Sequence, residues 1–435
     1  MLCIRNGYVI DPKSGLEGYR DILIKDDKIV EIAEQGKISA NENMRAEHIE
    51  YIDAAGMVAA PGLVDVHVHF RDPGFTYKED IESGAAAAAK GGFTTVVLMA
   101  NTKPAVDSEE TLDYVIKKGK KTGIKVHTCA NVTKGMKGQE LVDMESLSNA
   151  GAAGFTDDGV PILDEDILRE ALRKAAKLGK PISLHEENPK YITNNGINAG
   201  KASKYLGIGG SPREAEIDMV KRDIEIAAEE ESDLSIQHIS TKEAVELIRQ
   251  IKKKSGHIFA EATPHHFTLT QEAAIKYGAL AKMNPPLREE ADRLAIIEGL
   301  RDGTIDMIAT DHAPHSAEEK EKPITEAPSG IIGLETSLSL GIRELVMPGY
   351  LTMIELLRKM STAPAEFYHL NAGYIAEGGP ADLVIFDKDA KWQVTKEGFA
   401  SKSCNSPFVG EWLPGVVAYT ICDGEIVYKD KSLVK

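Results

Sequence analysis

The stretch LVDVHVHFRDPG, from Leu63 to Gly74, restricts this chain more than any other. Leu63, Val64, Val66 and Val68 read as a buried strand, with His67 and His69 two residues apart near its end. Side chains on a strand alternate with period two, so both imidazoles are expected on one face, and Arg71 continues the alternation as a fixed cation beside them. Two imidazoles aimed at one point from the C-terminal end of an apolar strand indicate a metal site. A lone His-x-His pair is weak evidence, because buried histidines are often simply hydrogen-bonded. It gains force only if the chain supplies further ligands.

After that strand the chain alternates strand and helix repeatedly. Strands are expected at TTVVLMA (94–100), KVHTCAN (125–131), GFTDD (154–158), PISLHEE (181–187), LSIQHIS (234–240), IFAEATPHH (258–266) and MIATDHAPH (307–315). Helices are expected around 77–90, 108–122, 164–179, 212–231 and 241–255. This is the pattern of an α/β fold of the (β/α)8, or TIM, barrel type. A doubly wound sheet competes, but no Gly-rich dinucleotide fingerprint opens the first unit. The polar residues decide between them: His67 and His69, Asp158, His185, His238 and Asp311 all fall near strand C-termini. A barrel gathers those ends around one mouth, whereas an open sheet spreads them in a row.

Both flanks of the barrel are strand-rich. DILIKDDKIVEI folds naturally as a hairpin about Lys25-Asp26-Asp27-Lys28, and VVAYTICDGEIVYKD carries an Asp423-Gly424 turn signal. Each flank is short for independent stability. The expected division is therefore a small composite β domain, residues 1–60 plus 372–435, closing a barrel over residues 61–371.

Four histidines and two carboxylates suit two borderline-soft divalent cations, most plausibly Zn2+. One would take His67, His69 and Asp311, the other His185 and His238. A carboxylate from the fourth strand would bridge them. Asp157 and Asp158 compete for that role, since adjacent strand residues face opposite ways. Bridging lowers the pKa of a shared water and supplies hydroxide, with Asp311 placed to move its proton. His127, His257, His265, His266 and His312 are structural by default; Pro264 and Phe267 suggest that His265 and His266 pack at the end of their strand.

Composition narrows the partners. Asp and Glu number 68 against 51 Lys and Arg, a formal charge of −17, which excludes a general nucleic-acid binder. No apolar stretch approaches membrane-spanning length. The four cysteines (Cys3, Cys129, Cys404, Cys422) are scattered without a Cys-x-x-Cys pair, as in reduced cytoplasmic thiols.

The motifs HVHFRDPG, MANTKP, FTDDG, MNPPLR, TDHAPH and APSGIIGLE together resemble the bacterial dihydroorotases of the amidohydrolase superfamily, over nearly the whole chain. The resemblance implies a binuclear zinc barrel that reversibly cyclises N-carbamoyl-L-aspartate to L-dihydroorotate in pyrimidine synthesis. It implies His67, His69, Asp158, His185, His238 and Asp311 as metal ligands, Asp311 being also the acid–base residue. Arg71, Asn101, Asn284 and His315 fall where the family contacts substrate, along with His69 and the backbone of Ser329 and Gly330. A bidentate guanidinium suits a carboxylate that stays charged throughout the reaction. Two departures stand out. Ser329 replaces a commoner apolar residue, and AAGFTDDG offers no lysine for the carbamylated bridge many relatives use. The rival activities are a hydantoinase- or allantoinase-type cyclic amidase, and an inactive scaffold for a transcarbamoylase. The sequence leaves open a homodimer, and whether the polar loop of roughly residues 314–330 acts as a lid.

Overall fold

The computed structural model describes residues 1–38 and 49–433, so positions 39–48 of the expected N-terminal piece lie outside the described residues. Five strands come from the N-terminal flank: β1 (Leu2–Asp11), β2 (Leu16–Lys25), β3 (Lys28–Glu34), β4 (Glu50–Asp53) and β5 (Val58–Pro61). The barrel strands follow as β6 (Leu63–Val68), β7 (Phe93–Leu98), β8 (Lys125–Thr128), β9 (Ile182–Leu184), β10 (Leu234–Ile236), β11 (Ile258–Ala262) and β12 (Met307–Ile308). Three more, β13 (Leu383–Gln393), β14 (Trp412–Cys422) and β15 (Glu425–Lys429), return to the first sheet.

That sheet runs β15-β14-β13-β5-β1-β2-β3, with β4 also pairing β1, so both flanks build one composite layer. The seam is antiparallel, Leu383 opposite Pro61 and Phe386 opposite Val58. The two expected hairpins form, with Lys25 opposite Lys28 and Cys422 opposite Glu425. Alternation along these strands gives the sheet a core of its own, including Ile4, Ile22, Leu383 and Ile421, all fully buried. The sheet is tied to the barrel where Lys125 Nζ meets Asp382 at 2.6 Å and Thr420 Oγ1 donates to the Ala89 carbonyl at 2.6 Å.

The barrel is parallel throughout. β6, β7 and β8 pair in order, as do β9 to β12. Two narrow seams close the ring. Phe155 bridges Ala130 on one side and Ile182 on the other, and Val68 bridges His312. The expected fourth and eighth strands are thus much shorter than their apolar runs suggested, because carboxylates take the place of the ladder. Asp157 accepts from the amides of Val132 (2.9 Å) and Thr133 (3.2 Å), and Asp65 accepts from the Thr310 amide at 3.2 Å. The strand expected through His266 also stops early. Thr263 caps a short helix, Pro264–Thr268, with proline in its first turn where no amide hydrogen is needed.

The helices start where polar caps allow. Asp80 caps Ile81–Lys90, Ser108 caps Glu109–Gly119, Asp164 caps Glu165–Leu178 and Thr241 caps Lys242–Ile251. The alanine run forms the buried face of the first of these helices. Its small side chains, with Gly84, admit the ring of Phe70, which a Cβ on Gly84 would meet at 2.4 Å. Among the described residues no helix is long and apolar enough to cross a membrane.

Phe155 is fully buried and is the one described residue bridging the third and fifth barrel strands. Phe155→Ala is expected to cost about 3–5 kcal/mol, as for other buried aromatics. Denaturant unfolding of the variant against wild type reads this directly.

Candidate active site

The His-x-His strand and the ends of other barrel strands bring six side chains together at the barrel mouth. His67, in β6, is fully buried; its Nε2 lies 3.5 Å from Asp158 Oδ1 and 3.6 Å from Asp311 Oδ1. His69 Nε2 lies 3.0 Å from Asp311 Oδ1 and 3.5 Å from Asp158 Oδ2. On the far side, His185 Nδ1 is 3.0 Å from His238 Nε2, which is 3.9 Å from Asp158 Oδ1. All six predicted ligands therefore converge, from segments as far apart in sequence as residues 67 and 311.

These distances fit a divalent cation. Donors around a tetrahedral zinc at ~2.0–2.1 Å stand about 3.3–3.4 Å apart. Two groups bring their ligand atoms near this spacing, His67–His69–Asp311 and His67–Asp158–His238, all within 4.8 Å of one another. Neither ring nitrogen of His67 has a hydrogen-bond partner, although both are buried. Buried polar atoms are ordinarily satisfied, so orphaned imidazole nitrogens facing two carboxylates fit a cation-binding role.

Asp157 and Asp158 separate cleanly. The Asp157 carboxylate is spent on Val132, Thr133 and Asn131, on the side away from the histidines. Asp158 faces them. Burial opposes its charge, but His67, His238 and His69 outweigh burial and hold its carboxyl well below the usual range. Asp311 is likewise held low, since His69, His67 and His238 overcome its desolvation.

Asn101 braces this arrangement. Its Oδ1 lies 3.0 Å from His69 Nδ1, and its Nδ2 donates to Asp158 Oδ2 at 2.9 Å. Asn284 Nδ2 lies 3.3 Å from His185 Nε2. Both line a cavity of ≈ 190 Å³ together with Arg71, His315, Ser329, Gly330 and every predicted ligand except the deeper His67. Arg71 arrives differently from the expectation. It does not continue the strand alternation but sits beyond β6 at φ 59°, donating from Nε to the Pro314 carbonyl at 3.2 Å. His238 (φ 32°) and Asp311 (φ 48°) are also left-handed. Such strain in non-glycine residues characteristically collects at functional sites.

The far wall is the loop carrying His315 and Gly330. His315 is driven down to about 2 by burial and by Arg71, Lys78 and Lys320, so its ring is neutral; Nε2 donates to the Ser329 carbonyl at 2.8 Å. Gly330 has φ 110°, and a Cβ there would meet Ala313 Cβ at 2.5 Å, so glycine is required. Its amide donates to the Lys282 carbonyl at 2.8 Å, and its carbonyl accepts from Lys320 Nζ at 3.0 Å.

Several supporting residues escaped the sequence reading. Asp65 shares the parity of His67 and accepts from its amide at 3.1 Å, so the alternation D-x-H-x-H held that signal. Glu261, a single acid within the apolar run of β11, brings Oε1 to 3.6 Å from His67 Nδ1. Glu187 Oε2 lies 3.3 Å from His185 Nε2.

Comparison with known proteins agrees with this geometry. The sequence profile of the amidohydrolase family matches residues 58–427. A dihydroorotase of Clostridioides difficile (strain 630) is 54% identical over 428 residues, covering 98% of this chain and all of that one. A dihydroorotase of Clostridium acetobutylicum is 50% identical, covering 99% of this chain and all of the relative. Among solved structures, the L-hydantoinase (dihydropyrimidinase) of Arthrobacter aurescens superposes with a TM-score of 0.88 at 25% identity, over 98% of this chain and 96% of that one.

The two neighbouring aspartates are expected to fail in different ways. Asp158→Ala should lose most bound divalent metal, read by elemental analysis, while keeping the wild-type melting temperature of the metal-free protein. Asp157→Ala should keep its metal and melt lower, because it strands buried donors at about 1–3 kcal/mol each.

Proposed function

The chain belongs to the amidohydrolase family and, within it, to the dihydroorotases, and from that premise we propose how its barrel mouth closes and opens the dihydroorotate ring. The enzyme is a hydrolase of a cyclic amide. It interconverts N-carbamoyl-L-aspartate and L-dihydroorotate, a step of pyrimidine synthesis. The observation that carries the reading is a half-buried guanidinium, Arg71, in the same cavity as the histidine–aspartate cluster. A cyclic amide bearing a carboxylate needs both, whereas hydantoin and allantoin have no ring carboxylate for Arg71 to grip.

The cluster would hold two zinc ions, one on His67, His69 and Asp311, the other on His185 and His238, with Asp158 between them. Bound there, such cations would lower the pKa of a water and polarise the amide carbonyl. The chain's own groups do the rest. Arg71 fixes the ring carboxylate by charge-assisted hydrogen bonds, and His315, Asn101 and Asn284 limit how the ring can sit. In the hydrolytic direction Asp311 takes a proton from the attacking water and delivers it to the ring nitrogen as the carbon–nitrogen bond breaks. In ring closure the ureido nitrogen attacks the side-chain carboxyl carbon. Asp311 then accepts that nitrogen's proton and returns it to the departing oxygen.

The division into a composite domain (1–60, 372–435) and a barrel (61–371) is supported by the separate sheet core. The four cysteines are all free thiols, which supports a reducing, cytoplasmic setting.

Ring closure of N-carbamoyl-L-aspartate should proceed with the purified protein, stop on treatment with a chelator, and return on adding zinc. Zinc-loaded protein that leaves the substrate unchanged would overturn the reading. Asp311→Ala should bind dihydroorotate but lose about 10²–10⁴-fold in kcat. Arg71→Met should instead weaken binding by about 2–5 kcal/mol, seen in KM.

A further inference from the structure

Between β13 and β14 the chain leaves the composite sheet and passes beneath the active-site rim. Ser403 Oγ donates to the Lys78 carbonyl at 2.8 Å, and the Lys402 amide donates to Glu79 Oε1 at 3.1 Å. The next contact reaches the substrate wall itself. Asn405 is buried, and its carboxamide is used completely. Oδ1 accepts from the His315 amide at 3.1 Å, while Nδ2 donates to the carbonyls of Ala313 (3.1 Å) and Gly330 (3.2 Å). Its own carbonyl accepts from the Ile332 amide at 3.1 Å.

We propose that Asn405 is a positioning residue for the carboxylate subsite, setting the spacing between His315 and Gly330 from outside the barrel. This rests on the reading of the cavity as a dihydroorotate site. The chemistry is specific to asparagine. Here one acceptor and two donors must be presented in a plane, to one amide and two carbonyls on different sides of the loop. Aspartate matches the shape but turns an oxygen onto both carbonyls. Alanine leaves the buried His315 amide and Ala313 carbonyl without this partner. The Gly330 carbonyl keeps Lys320 as a second donor, so loss of Asn405 displaces the His315 side of the wall first. Asn405 makes no hydrogen bond to a predicted metal ligand, so its effect belongs to substrate affinity and not to metal retention.

Kinetics on Asn405→Ala and Asn405→Asp, with metal content measured on the same samples, test the proposal. Both should raise KM for dihydroorotate at least tenfold while kcat stays within about threefold and bound metal is unchanged; tenfold corresponds to ~1.4 kcal/mol. The double variant Asn405→Ala/His315→Ala should raise KM by much less than the product of the single effects, because one residue acts through the other. Unchanged KM, multiplicative effects, or a fall in kcat that tracks lost metal would each overturn it. Hydrogen exchange on the full chain gives a readout without substrate. In Asn405→Ala, peptides spanning 312–316 and 327–332 should exchange faster while the barrel strands stay protected. Faster exchange there with a wild type that ignores dihydroorotate would sink the assigned activity yet keep the positioning role. Unaltered exchange would sink the positioning role alone.

Discussion

Two carboxylates, Asp158 and Asp311, are buried among imidazoles rather than beside Lys or Arg partners, and the barrel mouth is built around that arrangement. Removing a carboxylate from water costs several kcal/mol unless positive charge and hydrogen bonds replace the solvent. Here the replacement is distributed: four imidazoles come from three barrel strands and their ends, and Asn101 ties His69 to Asp158. A pair held only by each other would be rigid but inert. A ring of soft nitrogen donors facing hard oxygens can accept a divalent cation, and this joins the electrostatics of the fold to its chemistry.

The backbone gives way where the side chains must converge. Arg71, His238 and Asp311 all adopt left-handed conformations at or beyond strand ends, which stops the ladder and turns each side chain inward. Asp65 and Asp157 do the complementary work, accepting backbone amides that the shortened strands leave unpaired. The barrel is thus least regular at its C-terminal rim and most regular below it, as expected of a scaffold whose rim was selected for a reaction.

These features explain what the sequence could and could not convey. The apolar strands, the two hairpins and the convergence of six histidine and aspartate side chains were legible because period-two alternation and strand-end placement are local signals. The ends of the fourth, sixth and eighth strands were not, since φ values at His238 and Asp311 depend on tertiary contacts. Arg71 was expected at the site by a strand parity that it does not have. The choice between Asp157 and Asp158 turned on which side the Thr133 amide approaches, a matter of packing. Asn405 was invisible for a different reason. It lies ninety residues beyond His315, in the loop between β13 and β14, with no periodicity linking the two.

The seam between β5 and β13 pairs residues 61 and 383, so the N-terminal strands reach the ribosome exit long before their partners are made. Until then β5 presents an unpaired edge, the kind of surface that invites pairing with a foreign strand. The same late segment then lays Asn405 under the rim. Completion of the sheet and fixing of the His315–Gly330 loop are therefore one event in the life of the nascent chain, and a polypeptide released early would carry its whole histidine cluster and that loop yet lack the contacts of Asn405 that hold it.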